Sequence, residues 1–202
     1  MELSIYHKTD CLLHWFSQNI ARSNRAYVPA KDDDSHTNLY FDELSDRIVG
    51  RWIQFPETEL LPCINLTEEC DEWLNKRMEV AFSQPLFERS AEDRKLSLAA
   101  FIDSKGLDPD AFLLPLHFEI PDYRFDDHPP EGFPVDGLRQ WRNYRALANS
   151  ACSLLIGHLQ SSAAYRIWPH HFDTGTYVKI NDTLGLGFGL AMQEELVGAP
   201  YF

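Results

Sequence analysis

Residues 137–192 read GLRQWRNYRALANSACSLLIGHLQ, then SSAAYRIWPHH, then FDTGTYVKINDTLGLGFGLAM, and this run decides the fold. In its first part Leu138, Trp141, Leu147, Ala148, Ala151, Leu154, Leu155 and His158 fall largely on one side of a helix over 137–160, which Asp136 can cap. Pro169 then breaks the chain. In the last part the β-formers of Phe172–Ile180 and Leu184–Met192 flank the turn Asn181-Asp182-Thr183, the pattern of a hairpin. A long helix followed directly by a hairpin has no strand–helix–strand rhythm. The expectation is an α+β fold with antiparallel hairpins packed on helix 137–160.

The preceding residues extend this reading. Leu12, Leu13, Phe16 and Ile20 keep the 3,4 spacing of a helix over 9–23. Residues 37–42 and 47–55 suggest a second hairpin, with a short strand over 61–66. Thr67, followed by Glu68 and Glu69, suggests a helix start, with Trp73, Leu74, Val80 and Ala81 as its apolar side. Ser90 and Asp93 form a box-like cap for a helix over 90–105, with Leu96, Ala99 and Ala100 on one face and Gly106 at its end. Residues 111–120 read as an edge or bulged strand because of Pro115. Residues 121–136 form a long loop with four prolines and five acids. The expected organisation is one domain over 1–202.

The 18 basic and 31 acidic side chains give a net charge of −13. That field repels nucleic acid and anionic membranes, so neither is an expected partner, and a small molecule is. The four cysteines have no zinc-knuckle or redox-pair spacing. The first residues lack the basic start and apolar run of a signal peptide, and no stretch is long enough to span a membrane. A cytoplasmic location is the expectation.

One sequence pattern points to chemistry. His117-Phe118-Glu119 and His171-Phe172-Asp173 repeat His-Phe-acid, each on or at the start of an expected strand. Alternation on a strand would project His117 with Glu119, and His171 with Asp173. If the strands are neighbours, the four side chains suit a divalent metal such as zinc, manganese or iron, or general acid–base work. A solvated polar strand face explains the same residues. His128 could reach the cluster from its loop, and His158 reads as a core or helix-end histidine. Gly185, Gly187 and Gly189 alternate with Leu186, Phe188 and Leu190, leaving one face bare. That face is either a floor for a ligand, walled by Tyr165, Trp168 and His170, or a seat for close packing.

The segment Trp168-Pro169-His170-His171-Phe172-Asp173, then Gly185-Leu186-Gly187-Phe188, then Ala199-Pro200-Tyr201-Phe202, resembles a bacterial family of unknown function. That family carries a Trp-Pro-x-His-Phe-Asp segment, a glycine-containing strand and a later Pro-Tyr-aromatic run. The likeness lies mainly in residues 168–202, extends weakly to the helix over 137–160 and to Phe118-Glu119-Ile120-Pro121, and implies a shared fold without an activity. Members of that family continue beyond the Pro-Tyr-aromatic run, which implies either that an outer strand or a stretch of pocket wall is missing beyond Phe202 or that this is a short member. His171 and Asp173 fall within the motif, and His117 does not. Three classes stay open: a small-ligand-binding or structural protein, a metal-dependent hydrolase-like enzyme using the His/carboxylate cluster, and an interaction module without chemistry.

Overall fold

The computed structural model describes residues 3–125, 130–191, 197 and 200–202. Helices α1 (Leu3–Tyr27), α2 (Ala91–Ser104), α3 (Pro109–Leu113) and α4 (Val135–His158) accompany two antiparallel sheets, an α+β architecture. Strands β1 (Tyr40–Asp42), β2 (Arg47–Val49), β4 (Glu59–Asn65), β5 (Cys70–Leu74) and β6 (Val80–Pro85) are hydrogen-bonded in that order, and β3 (Ile53–Gln54) pairs with β4. The second sheet holds β7 (Arg166–Ile167), β8 (Thr174–Lys179) and β9 (Gly185–Leu190) in chain order. An antiparallel bridge between Leu39 and Ile167 joins the two sheets, with N–H···O distances of 2.9 and 2.8 Å.

Helices α1 and α4 cross where a glycine permits it. A side chain at Gly137 would collide with Thr9 Oγ1 and stand 2.7 Å from the Ile5 carbonyl oxygen. The expected apolar stripe of α1 is buried, and the helix starts at Leu3, ahead of the expected residue 9, with Tyr6 of the added turns edge-on to Tyr144 at 5.0 Å. On α4 the buried stripe is Leu138, Trp141, Arg145, Ala148 and Cys152. Leu147 and Leu154 were expected inside but are 53% and 75% exposed, and His158 is also exposed. The stripe runs through an arginine, so apolar residues alone misplace it.

The helix expected from Thr67 is the β5–β6 hairpin. Asn65 Oδ1 accepts from the N–H groups of Thr67 and Glu68 at 3.0 Å, making a side-chain-closed turn where a helix cap was expected. Glu69 has φ 50° within it. A second turn follows, where Asn75 Oδ1 accepts from Arg77 N–H at 2.8 Å and Glu79 N–H at 3.0 Å. Trp73 then packs edge-on to Phe55 at 5.6 Å and against Phe101 of α2 at 5.7 Å.

Helix α2 starts at the expected cap, with Ser90 Oγ accepting from Asp93 N–H at 3.1 Å. Its buried side is Leu98, Ala99, Phe101 and Ile102, whereas Leu96 and Ala100 face outward. The strand expected over 111–120 is absent. Asp108 caps α3 by accepting from Asp110 N–H at 3.0 Å, with Pro109 in the first turn, so 109–113 is helical. Residues 114–120 run on as a strap without a ladder. Among the described residues, no helix is long and apolar enough to cross a membrane.

Candidate functional site

The His171 motif lies in a turn, not on a strand. Trp168 N–H donates to Asp173 O at 2.9 Å, and Phe172 N–H donates to Trp168 O at 2.7 Å. Phe172 takes φ 59°, and its ring is fully buried. A left-handed backbone at a phenylalanine is costly and persists only where packing over-determines it. Here the ring lies between His14, stacked at 5.0 Å, and Trp141 at 6.2 Å, with the Arg145 guanidinium over it at 4.8 Å.

Arg145 is the centre of this packing. It is fully buried and donates to Asp10 Oδ1 at 2.9 Å, Thr174 Oγ1 at 2.8 Å and the Phe172 carbonyl oxygen. Trp141 Nε1–H donates to the same Asp10 oxygen at 2.8 Å. Burial pushes the Asp10 carboxyl above its ordinary range, although Arg145 and Trp141 both favour its ionised form.

His14 fastens the turn to α1. Its Nε2 lies 2.9 Å from Pro169 O, an atom that only accepts, and its Nδ1 lies 2.8 Å from the Tyr123 hydroxyl. The neutral ring protonated on Nε2 satisfies both contacts. Burial holds this imidazole down at about 4. Gln18 Nε2 adds a second donor to Pro169 O at 3.1 Å.

The expected metal set loses its geometry at this point. Neither His117 with Glu119 nor His171 with Asp173 shares a strand face, because neither pair lies in a strand. His117 and His171 do come into one neighbourhood. His117 Nε2 stands 3.4 Å from the Asp34 carboxylate, and its ring is edge-on to Phe118 at 5.0 Å. Phe118 meets His170 at 5.8 Å, and His170 meets His171 at 4.6 Å and Trp168 at 6.0 Å. Burial, followed by the neighbouring His171, lowers the His170 pKa. Asp173 Oδ1 is buried without a hydrogen-bond partner among the described residues. Glu119 lines a cleft with Phe118. Among the described residues, no group of three His, Cys, Asp or Glu side chains is arranged to hold a metal ion. His128 lies outside the described residues, as do Met192 and Ala199.

The glycines of β9 behave differently from one another. A side chain at Gly189 would strike the Thr174 carbonyl, and one at Gly185 would strike the Tyr177 ring. One at Gly187 would meet nothing within 4 Å, so close packing explains Gly185 and Gly189 but not Gly187. Leu186, Phe188 and Leu190 share the other face, and Leu190 is buried.

A cleft of about 460 Å³ lies between α1, the start of α2 and the strap, lined by Trp15, Gln18, Arg22, Lys95, Phe118 and Glu119 among others. The strap is bound to α1 through its carbonyls. Arg22 Nη1 donates to Leu114 O at 3.0 Å, and Arg25 donates to Pro115 O at 2.8 Å, Ala111 O at 2.8 Å and Leu114 O at 2.9 Å. Gln18 and Phe118 belong both to this cleft and to the contacts around the Trp168–Asp173 turn, so the two are contiguous. Reading the sequence selected Glu119 and missed Trp15, Arg22 and Lys95. The only local signal was Arg22 and Arg25 on the polar side of α1. No family model, curated protein or solved structure matches the chain.

Proposed function

We propose that this chain is a small-ligand-binding protein and that its binding site is the cleft between α1, α2 and the strap. The observation that supports this reading is the combination of size and lining. A volume of about 460 Å³ falls within the roughly 300–1,000 Å³ of small-molecule sites. Trp15, Leu116, Phe118 and Ile120 supply apolar surface, and Gln18, Arg22 and Glu119 supply polar groups that can orient a ligand. A comparable hollow beside the 54–59 and 75–79 turns has only Gln54, Pro56, Asn75 and charged or hydroxyl neighbours, without an aromatic wall. The small-ligand class is retained from the sequence, with its place moved from the glycine strand to this cleft. The likeness of residues 168–202 to an uncharacterised bacterial family stays part of this proposal, and it adds no activity.

Saturation-transfer NMR with a mixed set of small aromatic acids, amines, amino acids and neutral arenes tests the reading. Hits on the wild type should disappear in Ala91→Trp, which places an indole at the mouth of the cleft on the first turn of α2. An absence of hits, or hits that survive this substitution in a folded variant, would contradict it.

A second reading, the interaction module, has one observation in its favour. Tyr177, Leu184, Leu186 and Phe202 are exposed apolar side chains of the C-terminal sheet region.

A further inference from the structure

From the charges in the cleft we infer that its ligand is amphoteric: a small molecule with an apolar, preferably aromatic, body that carries both a carboxylate and an ammonium group, as an apolar amino acid does. The inference rests on the cleft being the binding site and goes further by naming the chemistry that fits it.

The charged lining residues are in different states. Lys95 is paired with Glu92 at 2.6 Å, and Glu92 also acts through space on Arg22, so one carboxylate is shared by two cations and a net positive charge remains on that side of the cleft. Arg94 lies over the Trp15 ring at 4.8 Å and the Phe16 ring at 4.6 Å, and its Nη1 donates to the carbonyls of Leu86 and Arg89. Its charge is therefore directed into the wall. Arg22 is half-buried and uses Nη1 on Leu114 O, which leaves its other donor groups for the cleft. Glu119, on the strap, makes no ion pair or side-chain hydrogen bond among the described residues, and it does not pair with Arg22.

One cation with spare donors and one carboxylate with spare acceptors thus share a single hollow without meeting each other. Trp15, Phe118, Leu116 and Ile120 form the apolar surface of the same hollow. A ligand with only a carboxylate would satisfy Arg22 and bring like charge toward Glu119. A ligand with only an ammonium would do the reverse. An amphoteric ligand satisfies both, and its apolar body covers the aromatic lining.

Titration calorimetry with four probes that share a phenyl ring tests this. L-phenylalanine carries both charges, phenylalaninamide lacks the carboxylate, N-acetylphenylalanine lacks the ammonium, and 2-phenylethanol lacks both. L-phenylalanine should bind tightest, and loss of either charge should weaken binding about ten-fold, the equivalent of about 1.4 kcal/mol. Glu119→Gln changes an exposed side chain and should weaken L-phenylalanine to the level of N-acetylphenylalanine, while N-acetylphenylalanine, relieved of like charge, should bind no more weakly than it does to the wild type. If 2-phenylethanol binds as tightly as L-phenylalanine, the amphoteric inference falls and the small-ligand reading stands. The same follows if Glu119→Gln leaves the order of the probes intact. If none of the four binds, the amphoteric inference falls, and the mixed-set NMR experiment decides the small-ligand reading separately.

Discussion

Two buried carboxylates, Asp10 on α1 and Asp71 on β5, face arginines in different ways. Asp10 accepts directly from Arg145 and from the Trp141 indole. Through Arg145 it ties α1 to α4, to Thr174 and to the Trp168–Asp173 turn. Asp71 accepts from the Gln84 amide at 3.1 Å on the neighbouring strand and feels Arg94 of α2 through space. Burial drives Asp71 up to about 6, with Arg94 and Gln84 opposing. The first acid holds together elements far apart in the chain. The second sits within a local hairpin and its covering helix, and at both acids burial works against the charge. Similar chemistry thus cross-links distant elements through a direct arginine contact in one region and stays within a hairpin and its covering helix in the other.

The largest expected effect breaks the cross-link. Arg145→Leu leaves Asp10 buried without its cation and should lower the unfolding free energy by about 3–5 kcal/mol in denaturant titration. Asp71→Asn at pH 7 removes a charge that burial opposes, and it should be neutral or stabilising. Equal losses from both substitutions would erase the distinction between the two regions.

Acid separates two buried groups, His14 and Asp71, by sign. His14 has its folded pKa at about 4 against an ordinary 6.5, so its contribution is complete above about 6.5 and is lost as pH falls toward 4. That loss amounts to about 3 kcal/mol. Asp71 is raised from 3.8 to about 6, so its ionisation costs nothing below 3.8 and progressively more as pH rises through 6, again by about 3 kcal/mol. The two trends oppose each other in overlapping windows. In stability measured from pH 4 to 7, Asp71→Asn should fall more steeply on acidification than the wild type, and His14→Gln less steeply. Parallel profiles would mean that neither group titrates as its burial implies.

The smallest effects concern the C-terminal sheet beside the cross-link. Gly189→Ala must push against the Thr174 carbonyl and should cost about 1–3 kcal/mol. Gly187→Val points into open space and should stabilise by up to about 1 kcal/mol through strand propensity. Thermal unfolding of the pair checks both, and a reversed order would misplace the sheet's two faces.

Much of this molecule was legible where local chemistry agrees with tertiary packing. The Ser90 cap, the α1 stripe and the β8–β9 hairpin follow from residue types within a few positions. The 67–81 region was misread because Thr67-Glu68-Glu69 has the composition of a helix start, while Asn65 takes the same N–H groups into a turn. Arg145 was invisible as a core residue because its partners, Asp10 and Phe172, lie far away in sequence. The two His-Phe-acid motifs do approach each other, through Phe118 and His170, but on a strap and in a turn. The cleft was illegible for the same reason as Arg145, since its walls come from three separate stretches.

The strap, held to α1 by Arg22 and Arg25 and touching the Trp168–Asp173 turn through Phe118, forms one wall of the cleft proposed to bind a small molecule. Amide-resonance mapping with the tightest-binding member of the mixed probe set tests that proposal most directly. Shifts should concentrate at Trp15, Gln18, Arg22, Lys95 and residues 118–120. Shifts confined to Gly175, Tyr177 and Gly187 on the glycine face of the C-terminal sheet, or to the His170–His171 turn alone, would contradict the small-ligand reading.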